Sequence, residues 1–382
     1  MKKILWVTAD YFADSDLNND VFSIVSKNFE IYWIILEGAT PYFEHSAYDK
    51  VMKLPNLHLE FLKNQYRTRD PRSLLFYYSV LKKIKKLKPD LVYYNVAPNP
   101  ASALVSLFFD KEKTIFTAHD GKAQNDSAAF GRMRTFAYNV TFHHAKNINM
   151  FSKAQADLMR QTYGEKNIHI MNLPLKNFGK SKKTKPVDMV RFLSFGHIIY
   201  QKNIDLLIEA GNLMYERGLR GFKISINGTC EDWKFYEDKI KYKDIFECNP
   251  NFISNDELLD LFATSHYAVF PYRRVSQSGV LKVAFNYKLP VVVSNIGSFK
   301  EEVKEGENGF FFNVGSAESL ADVLEKLLKT HQQEYALRCE KMDAFIKNHY
   351  SNEKSAESYI NFFKQIINGL AYGRKSINSL YV

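Results

Sequence analysis

Pro271-Tyr272-Arg273-Arg274-Val275-Ser276-Gln277-Ser278-Gly279-Val280 is followed by Leu281 to Lys288 and then by Leu289-Pro290-Val291-Val292-Val293-Ser294. The stretch reads as a buried strand, a polar turn, a helix entered at Gly279 and a second apolar strand begun by a proline. A turn of this kind points several backbone N–H groups at one spot. The first N–H groups of a helix have no partner inside it and carry partial positive charge, so Gly279 and Val280 suit a phosphate or diphosphate. Ser276 and Ser278 equally suit plain helix capping in an ordinary α/β unit.

Working outward, strand candidates recur with helical segments between them. In the first half they are Ile4 to Ala9, Phe29 to Leu36, Leu57 to Leu62, Leu91 to Val96, Thr114 to Ala118, Asn147 to Phe151 and Ile168 to Leu173. Alternating strands and helices predict a parallel sheet covered on both faces. The segment from Lys176 to Asp188, with Gly179, Ser181, Pro186 and five lysines, breaks the pattern and reads as a linker. A second series follows at Val190 to Phe195, Phe222 to Asn227, near Phe252, Tyr267 to Pro271, Val291 to Ser294 and Phe310 to Phe312. Its helices are expected at Ile204 to Glu216, Asn255 to Thr264, Val280 to Tyr287 and Leu320 to Lys329. From Gln332 to Ile377 the chain reads as helical, with breaks at Asn368, Gly369 and Gly373.

The expected fold class is therefore α/β, with two doubly wound parallel-sheet domains. Residues 1–180 form the first and 188–350 the second, with a helix over 351–382 returning to the first. Two such domains facing a cleft would bind ligand at the carboxyl ends of the strands. A chain of 382 residues suits two domains, since single cores stop growing at roughly 250 to 300 residues. Hydrophobic residues at 46% and aromatic residues at 15% are ample for two cores, and 25% charged residues exclude a disordered chain.

The start, Met1 to Asp10, is too short an apolar run for a signal peptide and reads as a first strand. No stretch approaches the roughly 18 to 20 apolar residues of a membrane span. Cys230, Cys248 and Cys339 show no metal spacing, and an odd, scattered set suits a reduced cytoplasm.

The net charge of +10 asks for a partner. Part of it lies in 71–89, where Leu74, Tyr77, Tyr78, Leu81, Ile84 and Leu87 fall at helical spacing, with Lys82, Lys83, Lys85, Lys86 and Lys88 on the other faces. A core helix with a solvated lysine face accounts for this; so does peripheral contact with an anionic membrane on the cytoplasmic side. Nucleic acid is not expected, because no binding motif accompanies the charge.

Further phosphate-binding candidates open the second domain. Phe195-Gly196-His197-Ile198-Ile199-Tyr200-Gln201-Lys202 reads as a strand end, a glycine turn and a lysine just before a helix. A lysine at a helix start is disfavoured by the dipole unless an anion occupies the site. Lys202 is thus a candidate diphosphate ligand, with Gly196 and His197 beside it and Asn227, at the end of the next strand, bordering the same place.

The glycine turn with Lys202-Asn203-Ile204-Asp205-Leu206-Leu207, then Leu289-Pro290-Val291-Val292-Val293-Ser294-Asn295-Ile296-Gly297 and Glu305-Gly306-Glu307-Asn308-Gly309-Phe310, resembles the carboxyl-terminal domain of family 4 glycosyltransferases over about 190 to 330. The resemblance implies the GT-B fold and transfer of a sugar from a nucleotide diphosphate donor, a UDP- or GDP-sugar, with retention and with no metal or cofactor. The acceptor it implies is a glycan, lipid-linked in surface polysaccharide synthesis. Donor-side residues are then Gly196, His197, Lys202, Asn227, Ser276, Gln277, Ser278, Gly279 and Val280, with Lys202 also catalytic. His119, in Thr117-Ala118-His119-Asp120, stands where the family often carries a histidine facing the donor sugar, and as a loop residue at a strand end it needs no such role. His143 and His144 read as structural.

The chain departs from the family in two places. The paired glutamates around the donor helix are replaced by Val275 and Val283, which leaves the ribose without its usual ligand. After the first strand, Asp14-Ser15-Asp16-Leu17-Asn18-Asn19-Asp20 replaces a pair of glycines, as a helix cap or an acceptor loop. Glu301 and Glu302 match a family glutamate and also suit a first helical turn, and the family tends to hold the base near Phe252 and Ile253. A non-catalytic nucleotide-sugar binder or partner subunit, and an epimerase or phosphorylase of the same fold, are the competing readings.

Overall fold

The computed structural model describes residues 1–10, 21–38, 44–67, 70–123, 128–173, 175–176, 178–275 and 278–378. The chain divides into two units, Met1–Asn172 with Asn352–Val382, and Leu173–Ser351.

The first unit holds a seven-stranded sheet in the order β3-β2-β1-β4-β5-β6-β7. The strands are β1 (Lys2–Ala9), β2 (Phe29–Glu37), β3 (Leu57–Lys63), β4 (Leu91–Asn95), β5 (Thr114–Thr117), β6 (Asn147–Met150) and β7 (Asn167–Ile170), all paired in parallel. Their near-continuous apolar runs are what burial on both faces requires. On one face Leu5, Val7, Ile34, Val92 and Tyr94 pack against Tyr77, Val80 and Leu81 of α1 (Ser73–Leu87) and against Ala101 and Val105 of α2 (Pro100–Ser106). On the other face Trp6 meets Phe22 and Tyr93 at ring distances of 4.8 and 4.5 Å. The long last helix completes this second face, with Tyr359 and Phe363 lying 4.9 and 5.6 Å from Trp6.

The basic helix thus forms, with a narrower apolar stripe than its spacing predicts. Tyr77, Val80 and Leu81 are buried, while Leu74 and Tyr78 remain 41% and 48% exposed. Lys83 is paired with Glu60 of β3.

The second unit is a six-stranded parallel sheet, β10-β9-β8-β11-β12-β13. It consists of β8 (Val190–Phe195), β9 (Phe222–Asn227), β10 (Phe246–Asn249), β11 (Tyr267–Phe270), β12 (Val291–Ser294) and β13 (Gly309–Phe312). Helices α3 (Ile204–Glu216), α4 (Asn255–Thr264), α5 (Gly279–Asn286), α6 (Phe299–Glu302), α7 (Ala317–Lys329) and α8 (His331–His349) accompany it. One expectation moves: the strand sought near Phe252 lies at Phe246–Asn249, and Phe252 is 78% exposed. As an edge strand carrying Glu247 and Cys248, β10 has a weak apolar signature.

Two further expectations are altered by hydrogen bonding. The lysine-rich segment lies along the second unit: Phe178 N–H donates to Tyr287 Oη, Ser181 to Asp260, and Lys185 to the Ser265 carbonyl. In the tail the helical break falls at Tyr350 and Ser351, between α8 and the final helix α9 (Asn352–Asn378), which runs through Asn368, Gly369 and Gly373.

Candidate functional site

Gly196, His197, Lys202 and Asn227 come together at the carboxyl ends of β8 and β9. Gly196 takes φ +122° as the chain leaves β8, and Gly228 takes φ +136° as it leaves β9. A Cβ on Gly228 would lie 2.1 Å from the Gly196 carbonyl oxygen, so only glycine permits the two turns to run this close. Gly196 N–H donates to the Asn227 carbonyl, and Ile198 N–H to that of Thr229.

The result is a narrow crevice lined by Gly196, His197, Lys202, Asn227 and Tyr272 among others. Lys202 ends a 3-10 turn, Tyr200–Lys202, and Asn203 follows in the left-handed region with φ +56° before α3 begins. Asn tolerates that conformation better than most residues. The Lys202 Nζ lies 3.7 Å from the centre of the Tyr272 ring. Asn227 is buried and its side-chain amide donates to Ser225 Oγ at 2.8 Å.

The amino end of α5 adjoins this crevice. A Cβ on Gly196 would meet Val280 Cγ2 at 3.3 Å, which places the glycine turn against the first residues of the helix. Ser278 is the N-cap, its hydroxyl accepting from Leu281 N–H at 3.2 Å, so the capping role applies to this serine. Ser276 and Gln277 lie outside the described residues. Val283, at one of the family's glutamate positions, is buried in the apolar cluster behind the helix.

Three residues to which the sequence reading gave no role shape this site. Lys176, read as linker, is buried, and its Nζ lies 3.7 Å from the Cβ position on Gly279. Arg273 ties the loop after β11 to the lysine turn: its backbone N–H donates to the Gln201 carbonyl at 2.9 Å and its Nη1 to the Tyr200 carbonyl at 2.6 Å. Lys282, 1% exposed, contacts the Glu302 carboxylate and donates to Tyr350 Oη, fixing α5 against α6 and the end of α8. None carried a local signal, because each acts through a strand order that brings distant loops together.

In the first unit His119 sits just beyond the carboxyl end of β5, its ring 5.0 Å from that of Phe151. The turn after it is pinned by a Gly121 N–H bond to Gln155 Oε1. His143 and His144 bond to the carbonyls of Asn139 and Phe109, in keeping with structural roles. Among the described residues no group of His, Cys, Asp or Glu suits a metal ion.

Residues 176–351 match the model of the family described as glycosyl transferases group 1. No curated protein sequence matches the chain. Among solved structures it is similar to a glycosyltransferase from Rickettsia africae, with a TM-score of 0.68 and 16% identity over 96% of this chain and 98% of that one. The Anabaena protein HepE, crystallised with UDP, gives 0.66 and 14% over 96% and 100%. WaaG, described as a glycosyltransferase involved in lipopolysaccharide biosynthesis, gives 0.64 and 16% over 93% and 98%. The likeness in fold runs through both units of a GT-B chain, and the match to the group 1 glycosyl transferase model covers nearly all of the second unit.

Proposed function

We propose that this glycosyltransferase moves a sugar from a UDP- or GDP-sugar to a glycan acceptor, a lipid-linked intermediate of surface polysaccharide synthesis, with retention and without metal or cofactor. What supports the donor reading is an arrangement: the Gly196 turn, the Lys202 ammonium and the adjoining amino end of α5 bring positive charge and helix-start N–H groups to one place. Lys202, the α5 amides and the buried Lys176 ammonium then stabilise the diphosphate as it leaves, by preorganised electrostatics. The leaving phosphate takes the acceptor proton, so no carboxylate base is needed. His119 is assigned to the transferred sugar. HepE with UDP supports the nucleotide class, and WaaG, involved in lipopolysaccharide biosynthesis, supports a role in surface glycan synthesis.

The test is binding of UDP and GDP by calorimetry, followed by donor hydrolysis and transfer. Binding that falls at least tenfold in Lys202→Ala, with turnover lost in His119→Ala, is expected; full affinity in Lys202→Ala would sink the diphosphate assignment. A non-catalytic binder is the second reading, favoured by Val283 standing buried where the family has a glutamate. It predicts binding without hydrolysis or transfer on any acceptor.

An anionic membrane surface is the proposed partner of α1, whose exposed face carries Leu74, Leu75 and Tyr78 beside Lys82, Lys85 and Lys86. No helix among the described residues is long and apolar enough to cross a membrane. Pelleting with anionic vesicles should be abolished by glutamates at Lys82, Lys85 and Lys86. Retention of RNA at moderate salt would instead favour a nucleic-acid partner.

A further inference from the structure

Lys202 reaches its place in the crevice without a carboxylate partner: among the described residues none lies within ion-pair distance of its ammonium. What it touches is the face of Tyr272, 3.7 Å from the ring centre. That ring is itself closely packed. It is 1% exposed and packs against Phe270 and Phe299, with ring centres 5.8 and 5.4 Å away. Its hydroxyl is buried with no hydrogen-bond partner among the described residues, so none of them holds the side chain there by its polar end. A phenylalanine would fill the same space without leaving an unpaired group.

We propose that Tyr272 is a positioning residue whose ring fixes the Lys202 ammonium without neutralising it. A carboxylate in the same place would hold the lysine equally well but would compete with an incoming anion for its charge. An aromatic face attracts the cation through its quadrupole and leaves the full charge for the ligand. Arg273, the next residue, holds the backbone of the same turn, so two consecutive side chains set the lysine's backbone and its head group separately. The assignment rests on the reading of Lys202 as a diphosphate ligand.

The experiment compares Tyr272→Phe and Tyr272→Leu, alone and with Lys202→Ala, by UDP calorimetry and thermal melting. Tyr272→Phe should bind within about twofold of the native protein and melt no lower. Tyr272→Leu should lose affinity by about 2- to 30-fold, the range of a cation–π contact, and should lose nothing further in the Lys202→Ala background. Native affinity in Tyr272→Leu, a Tyr272→Phe loss as large as that of Tyr272→Leu, or a Leu loss that persists without Lys202 would each overturn the proposal. The second readout needs no nucleotide: acylation of Lys202 by an activated ester, followed by mass spectrometry. Tyr272→Leu should speed it and Tyr272→Phe should not; equal rates in all three proteins overturn the proposal. A native protein that binds no UDP while showing these acylation rates would sink the donor reading and leave the ring's role standing.

Discussion

Arg273 Nη2 and Asp205 Oδ2 stand 2.8 Å apart, joining the loop after β11 to the first turn of α3. The same guanidinium lies over the Tyr200 ring at 4.2 Å. One side chain therefore braces the whole turn that ends in Lys202. Arg273→Ala should weaken UDP binding by about 1 to 2 kcal/mol, several-fold or more in affinity, because the turn loses its hydrogen bonds. Arg273→Lys should recover only part of this, since an ammonium cannot reproduce the planar fork and the stacking. Calorimetry on the three proteins decides it, and an Arg273→Lys variant with native affinity would count against the brace.

Lys282 and Glu302 form an almost fully buried pair behind the amino end of α5. Removing one partner strands the other charge, so Lys282→Met should cost about 3 to 5 kcal/mol. Lys282→Met with Glu302→Leu should regain most of that. Urea unfolding of the single and double variants checks the sign of the difference.

His266 accepts a hydrogen bond from Arg191 N–H on its Nδ1, which requires a neutral ring. Burial, reinforced by His331, Lys185 and Arg191, lowers its pKa from 6.5 to about 4. The unfolded state then binds the proton more readily than the folded one. The contribution is complete above pH 6.5 and is lost as pH falls toward 4, on the order of 3 kcal/mol in all. Burial lowers the pKa of the neighbouring His331 too, which adds to the same slope. Urea midpoints between pH 7.5 and 4.5 should fall, and His266→Asn should flatten the curve.

Phe363 of α9 is fully buried and packs against Trp6, Tyr93 and Phe29. Phe363→Ala should cost the first unit about 3 to 5 kcal/mol. Two of the three tryptophans, Trp6 and Trp33, lie in that unit, so intrinsic fluorescence reports the loss directly. An unchanged fluorescence midpoint would show that the helix is not part of that core.

Much of the architecture was legible because strands buried on both faces must be continuous apolar runs: Val190 to Phe195 and Phe222 to Asn227 needed no correction. The misplaced β10 shows the converse, since an edge strand can carry Glu247 and Cys248 and look like loop. In α1 the spacing marked Leu74 and Tyr78 as core residues, yet the described residues bury only the Ser73 and Tyr77 side of its first turns. At the site, the positions of Gly196 and Asn227 were legible because they mark the ends of the apolar runs of β8 and β9, and that of Lys202 because it stands just before α3. Tyr272 is 70 residues beyond Lys202, and its contact exists only because β11 lies beside β8 in the sheet. Lys176 was hidden among four other lysines with the composition of a linker.

The return of α9 to the first sheet also sets an order of events during synthesis. Residues 1–172 leave the ribosome without the helix that covers Trp6, and that helix begins only at Asn352, 180 residues later by 352 − 172. At about 5 to 20 residues per second the uncovered face waits roughly 9 to 36 s. The second unit, encoded without interruption, is free to fold in that interval. The half of the protein made first is therefore the half finished last, and its exposed aromatic face is the one a chaperone would meet.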